Sequence, residues 1–484
     1  MTADALELER NKVATFFTPA TVDPPPQPLS GLTAFVAMRR NLLEMVDAEL
    51  FDRPFRERRV FGKTYLSVCD PELMQAVLLD HADAFGKAES TQRIFGPAVG
   101  EGLLIVEGSH WRRQRRAAAP AFRHEMLRRL TPTFAAVAEE QAERLRALAA
   151  SGPVDVEPEM ERATLAVIMR TLMASFGGEA DAQRLMHTLR DFLYGMTKPN
   201  LLDLWGAPDW IPAPGRGRAR RRVEAMRAEA RRALDRRRNS DADQGDLLGA
   251  LLAARDPETG QGLSDEELVD NILTFIGAGH ETTAVLMTWA LGLIARAPEV
   301  QDRLLAEARD VLGEGPVTAD ALDRLRFHEQ VLDEALRLFT PGPFILRQAK
   351  RDIDLGPVRA RKGTEVWCHL YVLHRSPRLW EQPAAFDPDR FSAERSQGRH
   401  RFAFIPFGAG PRICIGARFA MMEAKTMLAT FVRALAFAPA SAVQPMPTFR
   451  FTVRPQGGMV LNLVQRPRAD SSSLDRAAAP IPLL

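Results

Sequence analysis

From Asp70-Pro71 to Phe339 apolar residues recur at helical spacing, interrupted by Gly- and Pro-rich joints such as Ala207-Pro208, Ile211-Pro212 and Pro214-Gly215. A further helical pattern covers 33–50, after the Pro-rich run Asp23-Pro24-Pro25-Pro26-Gln27-Pro28. Strand-like runs flank this middle. Residues 59–68 read as two short strands around Gly62, and 343–347, 365–368, 449–453 and 459–464 follow late in the chain. Sheets assembled from such distant segments tie both ends together, so the pattern predicts one mainly α fold with small β-sheets (α+β) over 1–466. Residues 467–484, with Ser471-Ser472-Ser473 and Ala/Pro runs, read as a flexible C-terminal tail.

The longest predicted helix starts at Ser264-Asp265-Glu266-Glu267, where Ser264 caps and Glu267 reaches back, and runs to Arg296 before Pro298. At 1.5 Å per residue it is ~50 Å long, enough to cross the molecule. Inside it lies Phe275-Ile276-Gly277-Ala278-Gly279-His280-Glu281-Thr282-Thr283. Each glycine there costs about 1 kcal/mol against alanine. Two readings explain that cost equally well: close packing against a crossing helix, or a distortion where a ligand presses on the backbone.

Composition narrows the class. The chain has 484 residues, 46% hydrophobic and 26% charged, an ordinary globular balance that sets aside disordered and collagen-like chains. A net charge of +2 is too small for wholesale binding to nucleic acid or an acidic membrane. Only 7 of the 64 basic residues are Lys, so motifs containing Arg arise by chance more readily here and weigh less. The most basic stretch, Arg216–Arg238, carries a sparse apolar stripe of Val223, Met226, Ala230 and Leu234, interrupted by Glu224, Glu229 and Asp235. It reads as an exposed amphipathic helix over a substrate channel rather than a nucleic-acid site. Three cysteines, Cys69, Cys368 and Cys414, cannot make a disulfide framework. The acidic N-terminus lacks both a signal-peptide pattern and the ~20 apolar residues of a membrane span, which predicts a cytoplasmic protein.

The chemistry concentrates in Phe404-Ile405-Pro406-Phe407-Gly408-Ala409-Gly410-Pro411-Arg412-Ile413-Cys414-Ile415-Gly416, followed by a helical run from Ala417. A cysteine in a Gly-rich loop at a helix N-terminus is placed where free N–H groups and the helix dipole favour a thiolate. Gly410 allows the turn, Gly416 admits a flat cofactor, Phe407 shields the sulfur and Arg412 can meet a carboxylate. Cys69 and Cys368 read as buried small hydrophobes. The spacing F-x-x-G-x-R-x-C-x-G would arise by chance on the order of once in ten thousand such chains.

With this motif the sequence resembles the cytochrome P450 superfamily of heme-thiolate monooxygenases, and the resemblance extends over 24–464. It implies heme b (iron protoporphyrin IX) with Cys414 as the axial metal ligand, and Phe407, Gly408, Ile415 and Gly416 against the cofactor. Ala278-Gly279-His280-Glu281-Thr282-Thr283 matches the family's [A/G]-G-x-[D/E]-T-[T/S]. The match implies that Ala278 and Gly279 leave room for O2, that Thr282 is a hydroxyl donor to the oxygen being activated, and that Glu281 brings protons from bulk water. His280 occupies a variable position and reads as packing. Trp111 and Arg115 on one helix face, Arg347 and Arg412 match the clamp on the heme propionates. Glu334, Arg337 and Arg390 match the buried network that fixes the cysteine loop, with Asp389 standing where the family has Glu.

The resemblance further implies an apolar small-molecule substrate, a monomer of soluble bacterial type, and NAD(P)H electrons arriving through a ferredoxin or flavodoxin plus reductase. Arg112, Arg113 and Arg116 read equally as a docking face for that partner or as a solvated surface. The substrate pocket is expected at 86–104, 272–278, 342–346 and 456–459. A peroxygenase driven by H2O2 and a non-catalytic heme sensor or carrier are the alternatives. The Glu281-Thr282 pair weighs against the first, and product formed from NAD(P)H with redox partners decides the second.

Overall fold

The computed structural model describes residues 17–25, 29, 31–60, 62–172, 188, 216–239, 246–449 and 451–467. The expected joints at 207–215 and the tail at 468–484 lie outside them. The principal helices are α1 (Glu89–Val99), α2 (Gly108–Ala118), α3 (His124–Ala149), α4 (Val156–Leu172), α5 (Arg216–Arg238), α6 (Asp265–Ile294), α7 (Pro298–Leu312), α8 (Arg326–Leu338) and α9 (Ala417–Ala434). Strands β1 (Phe55–Val60), β2 (Lys63–Val68), β3 (Phe85–Lys87), β4 (Phe344–Ala349) and β5 (Glu365–His369) form one sheet in the order β1-β2-β5-β4-β3. Only β2 and β5 run parallel, with Leu66 opposite Val366. Mainly α with small sheets is therefore the observed class.

Helix α6 opens on the expected capping box: Glu267 N–H donates to Ser264 Oγ at 3.3 Å and Ser264 N–H to Glu267 Oε2 at 2.9 Å. From Leu268 onward it is buried on almost every side, so it is a core helix rather than an amphipathic one. It packs along α4, while α9 lies against α3 and touches α6, α7 and α8. A Cβ on Gly279 would come within 3.0 Å of Ile168 on α4, whereas one on Gly277 would meet nothing within 4 Å. Close helix packing explains Gly279, and the side that a Gly279 side chain would take faces α4.

Two expected elements differ. The 33–50 pattern divides into a helix at Gly31–Arg40, a 3-10 turn at Leu42–Met45 and a short helix at Glu49–Asp52. Asn41 breaks it by accepting from the N–H groups of Leu43 and Phe449. Phe449 and Val453 pair antiparallel with one another instead of lying in a single strand. There Asn41 holds the Phe449 N–H, and Pro341 O accepts the Val453 N–H at 3.2 Å.

Candidate active site

Two glycines shape the cysteine loop. Gly408 and Gly410 have φ of +73° and +69°, and a Cβ on Gly410 would overlap the Leu78 carbonyl. A single turn at Gly410–Arg412 follows, Cys414 N–H donates to Phe407 O at 2.9 Å, and α9 begins three residues on. Burial pushes the Cys414 thiol up, while the Gly416 N–H, the Arg115 guanidinium and the Ala417 N–H pull it down. Burial is the largest of these effects. Cys414 is exposed on one side, whereas Cys69 and Cys368 are buried and pushed up to about 12. Cys69 is wedged between the carbonyls of Leu50 and Arg53, each 2.9 Å from its sulfur.

Beside the cysteine loop stands a cluster of cations. The antiparallel register of β3 and β4 sets Lys87 directly opposite Arg347. Like charges at such a position destabilise a sheet unless an anion lies between them. Arg412 stacks over Trp111 at 4.0 Å and donates to Val106 O at 2.8 Å, which joins the loop to α2 and its Arg115. Burial, together with Arg347 and Arg412, pulls Lys87 down to about 7. Burial lowers Arg412 to about 10 and also lowers Arg115 and Arg347. Glu107 is the carboxylate that acts on this group, and its Oε1 is already taken by the Lys87 N–H. Glu107 acts on three of these cations, Lys87, Arg347 and Arg412, and Arg115 stands near Cys414, so among the described residues the cluster carries more positive than negative charge.

Between Leu268 and Ile294 the positions of α6 that are not buried are Gly277, Ala278, Gly279 and Thr282. Ala278 and Thr282 are one helical turn apart, so they share a face. Thr282 Oγ1 donates to Ala278 O at 2.7 Å. Its proton is therefore engaged by the backbone, and its lone pairs are what it presents to the opening. Glu281 is buried; its Oε1 accepts from Thr452 Oγ1 at 2.7 Å and pairs with Arg454 Nη2 at 3.0 Å. Arg454 Nη1 also meets Glu157 at 2.9 Å and Glu161 at 2.6 Å. Glu281 thus reaches the solvent side through a shared guanidinium and two partly exposed carboxylates. His280 is buried and its backbone carbonyl accepts from Thr164 Oγ1 at 3.0 Å, in keeping with packing.

The expected buried network is formed. Arg337 grips Glu334 with Nε and Nη2 at 2.6 and 2.7 Å, Arg390 Nε donates to Glu334 Oε1 at 3.1 Å, and Asp387 N–H adds 2.9 Å. The Glu334 and Arg337 side chains are fully buried, and Arg390 is nearly so. Asp389, the departure from the family, faces outward and forms a fork-to-fork pair with Arg303 at 2.7 and 2.9 Å.

A family model described as Cytochrome P450 matches residues 23–462. The chain belongs to the cytochrome P450 family. It is 33% identical to cyclooctatin synthase of Streptomyces melanosporofaciens over 93% of this chain and 96% of that protein. It is also 33% identical to a cytokinin hydroxylase of Arabidopsis thaliana, over 82% of this chain and 78% of the relative. The heme domain of cytochrome P450DA superposes with a TM-score of 0.80 at 26% identity, covering 93% of this chain and 99% of that one. This P450 is therefore an oxidoreductase with the monooxygenase chemistry of its family. Among the described residues no helix is long and apolar enough to cross a membrane.

The residues of this P450 fit a heme: an open cysteine for its iron, and an under-neutralised cation cluster for its two propionates. Lys87, Thr452, Arg454 and His374 escaped the sequence reading. Strand register and tertiary contacts alone bring them to their places. Of the three outward arginines, Arg113 pairs with Glu267 and Arg116 with Asp256 and Glu258, which leaves Arg112 exposed. Helix α5 buries the expected stripe. It docks on the acidic start of α6, with Arg231 and Arg227 on Glu266 and Arg238 on Asp265. The turn at 456–459 does not reach the open stripe. Met459 packs where a Cβ on Gly292 would sit, ten residues or about 15 Å along α6 from Thr282. Phe451 instead meets Phe95 of α1 at 5.4 Å, within the 86–104 segment.

Proposed function

We propose that this P450 is a bacterial, cytoplasmic and monomeric enzyme that binds heme b at Cys414 and inserts one oxygen atom of O2 into an apolar cyclic substrate. NAD(P)H electrons arrive through a separate ferredoxin or flavodoxin and its reductase. The observation that carries the reading is the combination of an open cysteine, an under-neutralised cation cluster and an open threonine stripe on a core helix. When bound, the heme supplies O2 binding and activation. Cys414 holds its iron, and Lys87, Arg115, Arg347, Arg412 and the Trp111 that Arg412 stacks on hold its propionates. Phe407 and Ile415 of the same loop, with Gly408 and Gly416, which carry no side chains, would line the cofactor on the cysteine side. Ala278, with no more than a methyl group, would leave space over the cofactor, while Gly279 lets α4 pack closely against the helix at Ile168.

Thr282 Oγ1, at the opening of α6, would hold a proton beside the place where O2 is activated. Glu281 passes protons from the Arg454, Glu157 and Glu161 side. Glu334, Arg337 and Arg390 keep the cysteine loop in place. Exposed Ile413 and Arg418 next to Cys414, with Arg112 on α2, support docking of an acidic electron carrier. The substrate class draws on two relatives of Streptomyces melanosporofaciens, named cyclooctatin synthase and cyclooctat-9-en-7-ol 5-monooxygenase. Titrating the purified heme protein with cyclooctat-9-en-7-ol should displace the water on the iron and shift the main heme band. A flat titration with this and similar cyclic alcohols, alongside a response to linear fatty acids, would overturn the substrate class.

A further inference from the structure

None of the hydrogen bonds of Glu334, Arg337 and Arg390 reaches the 404–416 loop: the two arginines donate to Glu334 and to carbonyls at His374, Glu381, Gln382, Pro383 and Ala385. A link is needed if that network is to hold the cysteine, and His374 has the geometry of one. Its carbonyl accepts Arg337 Nη1 at 2.8 Å. Its ring, wholly buried, spans from Thr340 Oγ1 at 2.8 Å to the Ile405 N–H at 3.2 Å. Proton counting fixes the tautomer. Thr340 Oγ1 donates its single proton to Leu336 O at 2.5 Å, so it can only accept from His374 Nδ1–H. Nε2 then carries a lone pair, and that lone pair receives the Ile405 N–H.

We propose that His374 is the positioning residue through which the Glu334–Arg337–Arg390 network sets the cysteine loop, its Nε2 holding the loop at Ile405. The charged groups that face the ring are Arg337 of α8 and Arg375 of its own turn, both cations, and with burial they hold His374 well below its ordinary value. A neutral ring is thereby kept, and with it the lone pair. Ile405 is itself buried, so its N–H has no water to turn to when the ring is lost. Phe404, the preceding residue, packs its ring 5.3 Å from the imidazole and adds an apolar contact to the same tie.

The proposal rests on the heme-thiolate reading only for what the loop presents at its far end. The test uses the full-length heme protein and two readouts: backbone hydrogen exchange of peptides from 404–414, and the fraction of the reduced carbon monoxide complex absorbing at the red-shifted position peculiar to thiolate ligation. His374→Phe fills the space but accepts nothing, so exchange in that loop should rise on the order of tenfold and the thiolate fraction should fall, while peptides of α8 keep wild-type exchange. His374→Gln, whose side-chain carbonyl can take the Ile405 N–H, should restore both. If His374→Phe does not fold, Thr340→Val, which removes the ring's anchor without touching the ring, should give the same loop-confined exchange. Wild-type loop exchange in these variants, or a rise spread equally over α8 and the core, overturns the coupling. A wild-type protein without the thiolate band overturns the heme-thiolate reading instead, and the exchange data still decide the role of His374.

Discussion

Replacing Glu334 by glutamine keeps the volume of a fully buried side chain and removes the single negative charge between two guanidiniums. The carboxylate accepts four hydrogen bonds, at 2.6, 2.7, 2.9 and 3.1 Å. A glutamine can accept only through Oε1, and its NH2 must then face a guanidinium donor, so at best the two or three bonds on one oxygen survive. Breaking a buried pair by removing one partner costs about 3–5 kcal/mol, against a typical net stability of 5–15 kcal/mol. The expected loss is thus about a fifth of the protein's stability or more. Urea unfolding of the heme protein, followed by far-UV circular dichroism and heme absorbance together, measures it. Arg303→Gln is the control, since its pair with Asp389 has both side chains more than a third exposed and should be worth under about 1 kcal/mol. A Glu334→Gln loss no larger than that of the control would refute the claim that one carboxylate holds the network together.

Cys414→Ala should abolish the thiolate band of the carbon monoxide complex, whereas Cys69→Ala and Cys368→Ala should keep it; the reverse pattern in any of the three would sink the ligand assignment. Thr282→Ala, measured as product per NAD(P)H with hydrogen peroxide as the by-product, should lower coupling several-fold at unchanged heme content, and unchanged coupling would remove Thr282 from the relay. Lys87→Met should speed heme transfer to a competing apoprotein by roughly tenfold, the cost of one lost charge-assisted bond. Because Lys87 is pulled down to about 7 in the protein without its anions, the folded apoprotein is penalised in full below about pH 7 and relieved as pH rises from there toward 10; Lys87→Met should flatten that rise in urea midpoints, and a parallel profile would refute it. Arg112→Glu should slow reduction by the electron carrier and reduce its salt dependence, whereas Arg113→Glu should lower stability by freeing Glu267 against a second carboxylate.

The sequence by itself determined the class of the fold, the central helix and the cysteine, because each rests on local rules. Ser264 and Glu267 form a capping box wherever that spacing heads a helix, Gly410 is demanded by a positive φ, and the loop motif specifies its own turn. What the sequence left open depended on which distant elements meet. Gly279 serves packing on Ile168, a contact set by how α4 crosses α6. Arg113 and Arg116 are neutralised by Glu267 and Asp256, more than a hundred residues away, so counting arginines on a helix face overstated the free positive charge. Lys87 opposite Arg347, Arg454 between three glutamates and His374 against Ile405 carry no sequence signature, since each pairing is made by strands and turns whose register only the packed chain fixes.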